Sequence, residues 1–221
     1  MSNIVKCVLR INADEEKANE IKNFVQGGAR DMDFQKIIPM SADLLIEASS
    51  RTGQGVDYLI LILKLERARG EDIEEIRGKI KRIESLPDFD RIKELGFKAI
   101  SNLLKYGFTN CYDWSICNWG TQWNTMYSEA IGDKIYFHTA NNFPEPVIKH
   151  LSEIFPDVEF EYKYADEDLG TNCGFGSIKD GVYECGDFET ENDAMKFSID
   201  MWGVQDEYEL VNGNFVYKNK S

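Results

Sequence analysis

The side chains that could carry out acid–base or nucleophilic chemistry are few and widely spaced. The chain has two histidines, His138 and His150, and five cysteines. Asp113 and His138 could act as an acid–base pair, and a thiol at Cys111 or Cys117 could join them as a nucleophile. Nothing in their spacing brings these groups together, and a nucleophilic cysteine needs a nearby base. We therefore predict a protein without catalytic residues, with a thiol-dependent or hydrolytic enzyme as the alternative.

Metal-binding and phosphate-binding signatures are missing from the sequence. The cysteines form no Cys-x-x-Cys pair, and there is no Asp-x-Asp-x-Asp-Gly loop of the calcium-binding type. Gly174, Gly176 and Gly181 lack the Gly-Lys-Ser/Thr ending of a phosphate loop, and Gly181 fits a hairpin turn. The sequence predicts no metal, no cofactor and free thiols in a reducing compartment.

Acidic side chains are concentrated in the last third of the chain. Residues 150–221 hold 17 acidic and 5 basic residues, a net charge of −12, whereas residues 1–149 have a net charge of −2. An acidic surface attracts a basic groove on a partner, although a charged run also keeps a protein soluble without binding anything. The predicted partner-binding residues are Asp166, Glu167, Asp168, Asp187, Glu189 and Glu191.

Three of the four tryptophans lie within ten residues of one another. Such rings either stack nucleobases at a surface or fill the core beside a sheet, while asparagines among them tie down turns. Core packing is the more common use of clustered aromatic rings, and the spacing leaves both interpretations open. The residues of this tryptophan segment are Trp114, Asn118, Trp119, Gly120, Trp123 and Asn124.

Hydrophobic periodicity predicts alternating strands and helices. The predicted order is strand 4–11, helix 15–26, extended piece 33–40, strand 134–139, helix 145–155 and strand 158–164. This order approximates βαββαβ, the split βαβ arrangement of ferredoxin-like folds. We therefore expect strands 4–11 and 158–164 in one antiparallel sheet, with both helices on the same face.

The remaining segments are predicted from turn and capping signals. Residues 41–106 are mostly helical apart from a loop at 49–55, and residues 110–119 begin extended. After residue 164 we expect a hairpin around Gly181, a helix at 190–202 and a weak hairpin around Asn212-Gly213.

The tryptophan segment carries a family resemblance. The run Asn118-Trp-Gly-Thr-Gln-Trp-Asn124, preceded by Cys111-Tyr-Asp-Trp114, resembles the hallmark of YubB-type ferredoxin-like domain proteins of phages and plasmids. That hallmark has Trp-Tyr-x-Trp followed by Asn-Trp-Gly-Thr-Lys-Trp-Asn, so Cys111 replaces an aromatic residue and Gln122 replaces the lysine. Two further segments, Phe34–Met40 and Phe137–Ala140, resemble other stretches of the same family.

The resemblance covers roughly residues 1–40 and 97–185, and it implies a ferredoxin-like core and a mobile-element origin. The family has no agreed catalytic residues, so no role is transferred to this chain. The predicted fold is α+β, and its parts are a ferredoxin-like core at 1–44 and 97–164, a helical insert at 45–96 and an acidic C-terminal extension at 165–221.

These observations favour a non-catalytic binding protein of a mobile genetic element. The expected activity is counter-defence, in which an acidic surface occupies the basic groove of a host protein or nucleoprotein complex such as a CRISPR effector in the bacterial cytoplasm. Direct nucleic-acid binding is not expected, because a net charge of −14 opposes contact with phosphates, and no membrane contact is expected either. The alternative binding function is a nucleic-acid accessory protein that stacks bases on the tryptophans.

Overall fold

The computed structural model describes residues 2–70, 72–212 and 214–218. The strands are β1 (Ile4–Asn12), β2 (Tyr127–Ile131), β3 (Lys134–Ala140), β4 (Glu159–Asp166), β5 (Cys173–Lys179), β6 (Val182–Cys185), β7 (Tyr208–Val211) and β8 (Asn214–Tyr217). The helices are α1 (Glu15–Val25), α2 (Phe34–Ile37), α3 (Ser50–Arg67), α4 (Asp72–Glu84), α5 (Phe89–Tyr106), α6 (Cys111–Trp119), α7 (Glu145–Ile154) and α8 (Glu191–Trp202).

Six strands form one antiparallel sheet in the order β2-β3-β1-β4-β5-β6. The four strands β2-β3-β1-β4, together with α1 and α7, follow the chain order βαββαβ and place the first and last strands of that order side by side. This is the split βαβ arrangement that the sequence predicts. The antiparallel pairing of β1 with β4 is therefore confirmed.

One face of this sheet carries the main core. Alternate residues of β1, from Val5 to Ile11, point to this face and are at most 1% exposed. Helices α1 and α7 cover the face, and Phe24 of α1 meets Phe155, directly after α7, with ring centroids 5.4 Å apart. The expectation that both helices share one face is confirmed. The buried residues of the two helices are Ala18, Ile21, Val25, Val147, Ile148, Leu151 and Ser152.

Helix α8 lies on the opposite face, over β4 and β5. The Trp202 indole Nε1–H points at the Ala165 and Asp166 carbonyl oxygens, at 3.2 and 2.8 Å. Phe197 packs against Phe175 of β5, with ring centroids 5.8 Å apart. Strands β5 and β6 and helix α8 therefore extend the same sheet, and residues 165–221 belong to the compact unit that contains it.

Two glycines of β5 make room for the aromatic rings of β4. A Cβ atom at Gly176 would lie 2.7 Å from the Tyr162 hydroxyl oxygen, and one at Gly174 would lie 2.8 Å from that of Tyr164. Both tyrosine rings stack on Phe143, with centroid distances of 5.0 and 4.8 Å. The spacing of these glycines thus serves cross-strand packing.

The chain divides into two compact units, a first unit of Met1–Pro39 with Ser115–Ser221 and a second unit of Met40–Trp114. These bounds differ from the predicted insert of 45–96, since residue 97 lies in the middle of α5. In the second unit α3 crosses α5 where Gly55 meets Gly96, and a Cβ atom at Gly55 would lie 2.7 Å from the Gly96 amide nitrogen. The two glycines let the helix backbones touch.

Gly55→Ala is expected to lower the free energy of unfolding by about 1–3 kcal/mol, because the added methyl group meets the backbone of α5. Gly53→Ala, two residues earlier in α3, is the matched control. A Cβ atom there has no heavy atom within 4 Å, so the higher helix propensity of alanine should leave stability equal or slightly higher. Thermal melts followed by circular dichroism separate the two, and equal melting temperatures would contradict the close crossing.

Three predicted extended or loop segments are wrong, because local capping makes each of them helical. Residues 33–40 contain α2, where the Asp33 carboxylate accepts from the Gln35 amide at 3.0 Å and Phe34 and Ile37 are buried. The true second strand of the core is β2, which the hydrophobic pattern did not indicate.

The other two corrections concern α3 and α6. The predicted loop 49–55 begins α3, since the Ser49 hydroxyl accepts from the Arg51 amide at 3.2 Å. Residues 111–119 form α6, with the Asn110 side-chain oxygen accepting from the Tyr112 amide at 2.9 Å. In the predicted C-terminal hairpin, β7 pairs with β8 and Asn212 has a φ of 52°, while Gly213 lies outside the described residues.

Candidate partner-binding surface

Five of the six predicted partner-binding carboxylates are exposed in the first unit. They form what we call the acidic surface, which consists of Glu167, Asp168, Asp187, Glu189 and Glu191. Two of them follow β4, two lie in the connection from β6 to α8, and Glu191 begins α8.

Packing at the first turns of α8 holds these segments in place. The loop after β4 lies against this end of the helix, because a Cβ atom at Gly170 would stand 3.2 Å from the Met195 sulfur. Phe188 is anchored against Phe175 and Phe197, with ring centroids 5.3 and 5.2 Å apart. Thr190 and Asp193 form a capping box that fixes where α8 begins. The flanking carboxylates are thereby displayed from ordered backbone.

The sixth predicted residue, Asp166, is not part of this surface. It is 3% exposed, because its register opposite Val5 of β1 turns its side chain to the covered face of the sheet. Its carboxylate accepts hydrogen bonds at 2.9 Å from the Asn3 side chain, the Asn172 side chain and the Asp168 amide. The expectation that Asp166 contacts a partner is therefore corrected, and the residue fixes the loop after β4.

The acidic surface differs electrostatically from the second unit. In the second unit exposed carboxylates lie beside cations, as in the pairs Glu75–Lys79 at 2.5 Å and Glu94–Lys98 at 2.6 Å. Among the described residues, no lysine, arginine or histidine lies within 4 Å of any carboxylate of the acidic surface. Its negative charge is therefore uncompensated at contact distance.

The tryptophan segment is largely structural. Trp119 is 2% exposed, packs against Phe34 with centroids 5.9 Å apart, and donates from Nε1 to the Ile38 carbonyl at 2.9 Å. Gly120 has a φ of 76°, and a Cβ atom there would lie 2.8 Å from Cδ of Pro146. These contacts favour the core interpretation for this part of the motif.

The rest of the segment divides between interior and surface. Asn124 accepts from the Phe34 amide at 2.9 Å and donates to the Asp33 carboxylate at 2.6 Å, so it ties two distant turns together. Trp114 is 9% exposed and belongs to the second unit, and Asn118 is partly buried. Trp123 is 51% exposed, so one ring of the three is available to a partner.

The acid–base candidates are divided between the two units. Asp113 and Cys111 belong to the second unit, whereas Cys117 and His138 belong to the first. His138 lies between the rings of Tyr127 and Trp202, and burial together with the nearby Lys6 lowers its pKa. The absence of enzymatic activity stays a prediction.

The cysteines are all free thiols, and Cys7 is the buried one among them. Burial raises the Cys7 pKa to about 12, so this thiol stays protonated at neutral pH. Within residues 2–70, 72–212 and 214–218, no three His, Cys, Asp or Glu side chains are grouped to hold a metal ion. No helix in those ranges is long and apolar enough to cross a membrane.

A model of a known protein family matches part of the first unit. Residues 118–210 match a family model described as "Ferredoxin-like domain in Api92-like protein". The chain has a ferredoxin-like α+β fold. The matched ferredoxin-like region contains β2 to β6 and α8, whereas β1 and α1 lie outside it.

A solved structure is also similar to most of the chain. The crystal structure of protein api92 from Yersinia pseudotuberculosis is 13% identical, with a TM-score of 0.42. The similarity covers 86% of this chain and 99% of that one. No curated protein shows significant sequence similarity to this chain.

Proposed function

We propose that this protein is a non-catalytic binding protein that docks its acidic surface on a basic groove of a host protein or nucleoprotein complex. The observation that carries the proposal is the set of five exposed carboxylates without a cation at contact distance among the described residues. An uncompensated acidic surface on ordered backbone speeds encounter with a basic partner and suppresses encounter with acidic ones.

We further propose that the protein comes from a phage or plasmid and acts in counter-defence. The support is the resemblance of the tryptophan segment to YubB-type proteins. A CRISPR effector suits this role, because it holds nucleic acid in a positively charged channel that an acidic protein can occupy. The site of action would then be the cytoplasm of a bacterial host.

The competing functions make different use of the same residues. Base stacking on Trp119 is disfavoured, because its ring is enclosed and donates to the Ile38 carbonyl, so base stacking on this segment would use the exposed Trp123. A thiol-dependent enzyme would lose turnover when Cys111 or His138 is replaced. A purely solubilising role for the acidic surface predicts unchanged partner binding after neutralisation.

Neutralising the acidic surface is expected to slow association with a basic partner about 10-fold or more at low salt and to flatten the salt dependence. The variant carries the substitutions E167Q, D168N, D187N, E189Q and E191Q. We would measure association with purified CRISPR effector ribonucleoproteins by surface plasmon resonance, and competition with target DNA for the same channel.

A control variant makes the same change in charge at α1, at α7 and at the turn that follows α7, on the other face of the sheet. It carries E15Q, E16Q, E20Q, E153Q and D157N, all at exposed positions. This control should associate nearly as fast as the parent. Equal association rates for the two variants would refute docking through the acidic surface, and a parent that binds none of the effectors would refute the CRISPR partner.

A further inference from the structure

The face of the sheet that carries α8 is left open over its other half. Helix α8 lies over β4 and β5, and its last residue, Trp202, reaches His138 of β3 and Lys6 of β1. Strands β2, β3 and β1 present partly or fully exposed side chains on this face, and so does β4 at Glu161 and Lys163.

In the strand register, His138 of β3 lies opposite Tyr127 of β2 and opposite Lys6 of β1. Two residues along on the same face, Tyr136 of β3 lies opposite Val8 of β1. We call this strip the open sheet face.

Aromatic rings form a continuous row across it. The Tyr127 and His138 rings are 5.2 Å apart, and the His138 and Trp202 rings are 6.0 Å apart. The Tyr127 side chain is 48% exposed, so its ring is accessible to a ligand. The lowered pKa of His138 keeps the imidazole neutral at neutral pH, the form that stacks without a charge penalty.

Cations stand among these rings. Lys6 lies 5.8 Å from the Trp202 ring centroid, and Lys163 is exposed at the register position opposite Val8. Neither has a carboxylate within 4 Å among the described residues. Glu161 of the strip pairs with Arg10 at 3.5 Å. Glu129 accepts from the Tyr127 hydroxyl at 2.6 Å and has no cation within 4 Å among the described residues.

We infer that the open sheet face binds a single strand of nucleic acid, with bases stacked on Tyr127 and His138 and phosphates beside Lys6 and Lys163. Four-stranded sheets that present aromatic rings on an open face are a recurrent platform for unpaired bases. The occupant is single-stranded because the faces of the bases are hidden in a duplex. Aromatic side chains can stack on unpaired bases while nearby cations contact the phosphates of the same strand.

The net charge of −14 opposes contact with phosphates, and some of the acids lie close to the open sheet face. The Glu167 carboxylate accepts from the Ile4 amide of β1 at 3.0 Å, and Glu161 of β4 pairs with Arg10 of β1. We therefore expect stacking, rather than attraction of phosphates, to supply most of the affinity. If stacking dominates and two phosphates are contacted, a plot of the logarithm of the binding constant against the logarithm of the salt concentration should have a shallow slope of about −1.4. This inference is independent of the acidic surface.

The test uses fluorescein-labelled oligo(dT) and oligo(U) of about 12 nucleotides, a length within known site sizes. Fluorescence anisotropy should show saturable binding of these single strands by the full chain, and weaker binding of a duplex. Tyr127→Ala and His138→Ala should each weaken binding about 5- to 100-fold. Tyr127→Phe should keep most of the affinity, because the ring is retained. Lys6→Gln should reduce the salt slope by about 0.7.

Controls separate this site from nonspecific binding and from the proposed function. Tyr112→Ala removes an exposed ring of the second unit, and Lys179→Gln removes an exposed cation at the far end of β5, so both should bind like the parent. The variant with a neutralised acidic surface should bind oligonucleotides at least as well as the parent. No saturable binding by the parent, equal binding of duplex, or unchanged affinity in both Tyr127→Ala and His138→Ala would overturn the inference.

Discussion

Trp119→Ala is expected to lower the free energy of unfolding by about 3–5 kcal/mol, the usual cost of emptying a large aromatic site. The indole is 2% exposed and packs against Phe34, which is fully buried. The substitution also removes the donor to the Ile38 carbonyl, which holds the end of the α2 segment against the tryptophan segment. Urea unfolding followed by circular dichroism measures the loss.

Trp123→Ala is the matched control for this prediction. The same residue type is removed four positions later, at a ring that is 51% exposed, so stability should change by about 0.5 kcal/mol or less. If both substitutions cost the same, the division of the tryptophan segment into a core ring and a surface ring is wrong.

Asp166→Ala is expected to cost about 3 kcal/mol, because three hydrogen bonds to a buried charged group are lost together. The side chains of Asn3 and Asn172 recover part of this through water, since both residues are exposed. Thermal and urea unfolding should agree on the loss, and the Asp168 loop should become more sensitive to limited proteolysis.

Asp168→Ala is the matched control. It tests whether the loss of stability in Asp166→Ala comes from the burial of the Asp166 carboxylate or only from the removal of a negative charge. Asp168 is exposed, and its backbone amide rather than its carboxylate contacts Asp166, so its removal should leave stability nearly unchanged. An Asp166→Ala variant that is as stable as the parent but slower to associate with a partner would restore Asp166 to the binding surface.

Local sequence patterns predicted the elements whose signal is complete within one segment. Helix α7 has apolar residues three and four apart after Pro144 and Pro146, and β4 alternates from Phe160 to Tyr164, so both were found nearly at their true bounds. Strand β2 was missed because it is a five-residue edge strand with exposed alternate positions. Helix α2 was missed because its four residues rely on the Asp33 cap and on buried contacts.

The sequence by itself determined the fold class, the segregation of negative charge into the last third and the lack of a recognised metal or phosphate motif. Only the tertiary structure decided which residue is buried and which is exposed where the same residue type occurs at neighbouring positions. Asp166 and Asp168 differ because the register of β4 on β1 turns Asp166 toward the covered face. Trp119 and Trp123 differ because one meets residues about eighty positions earlier. Both outcomes depend on pairing between distant segments, which spacing along the chain does not encode.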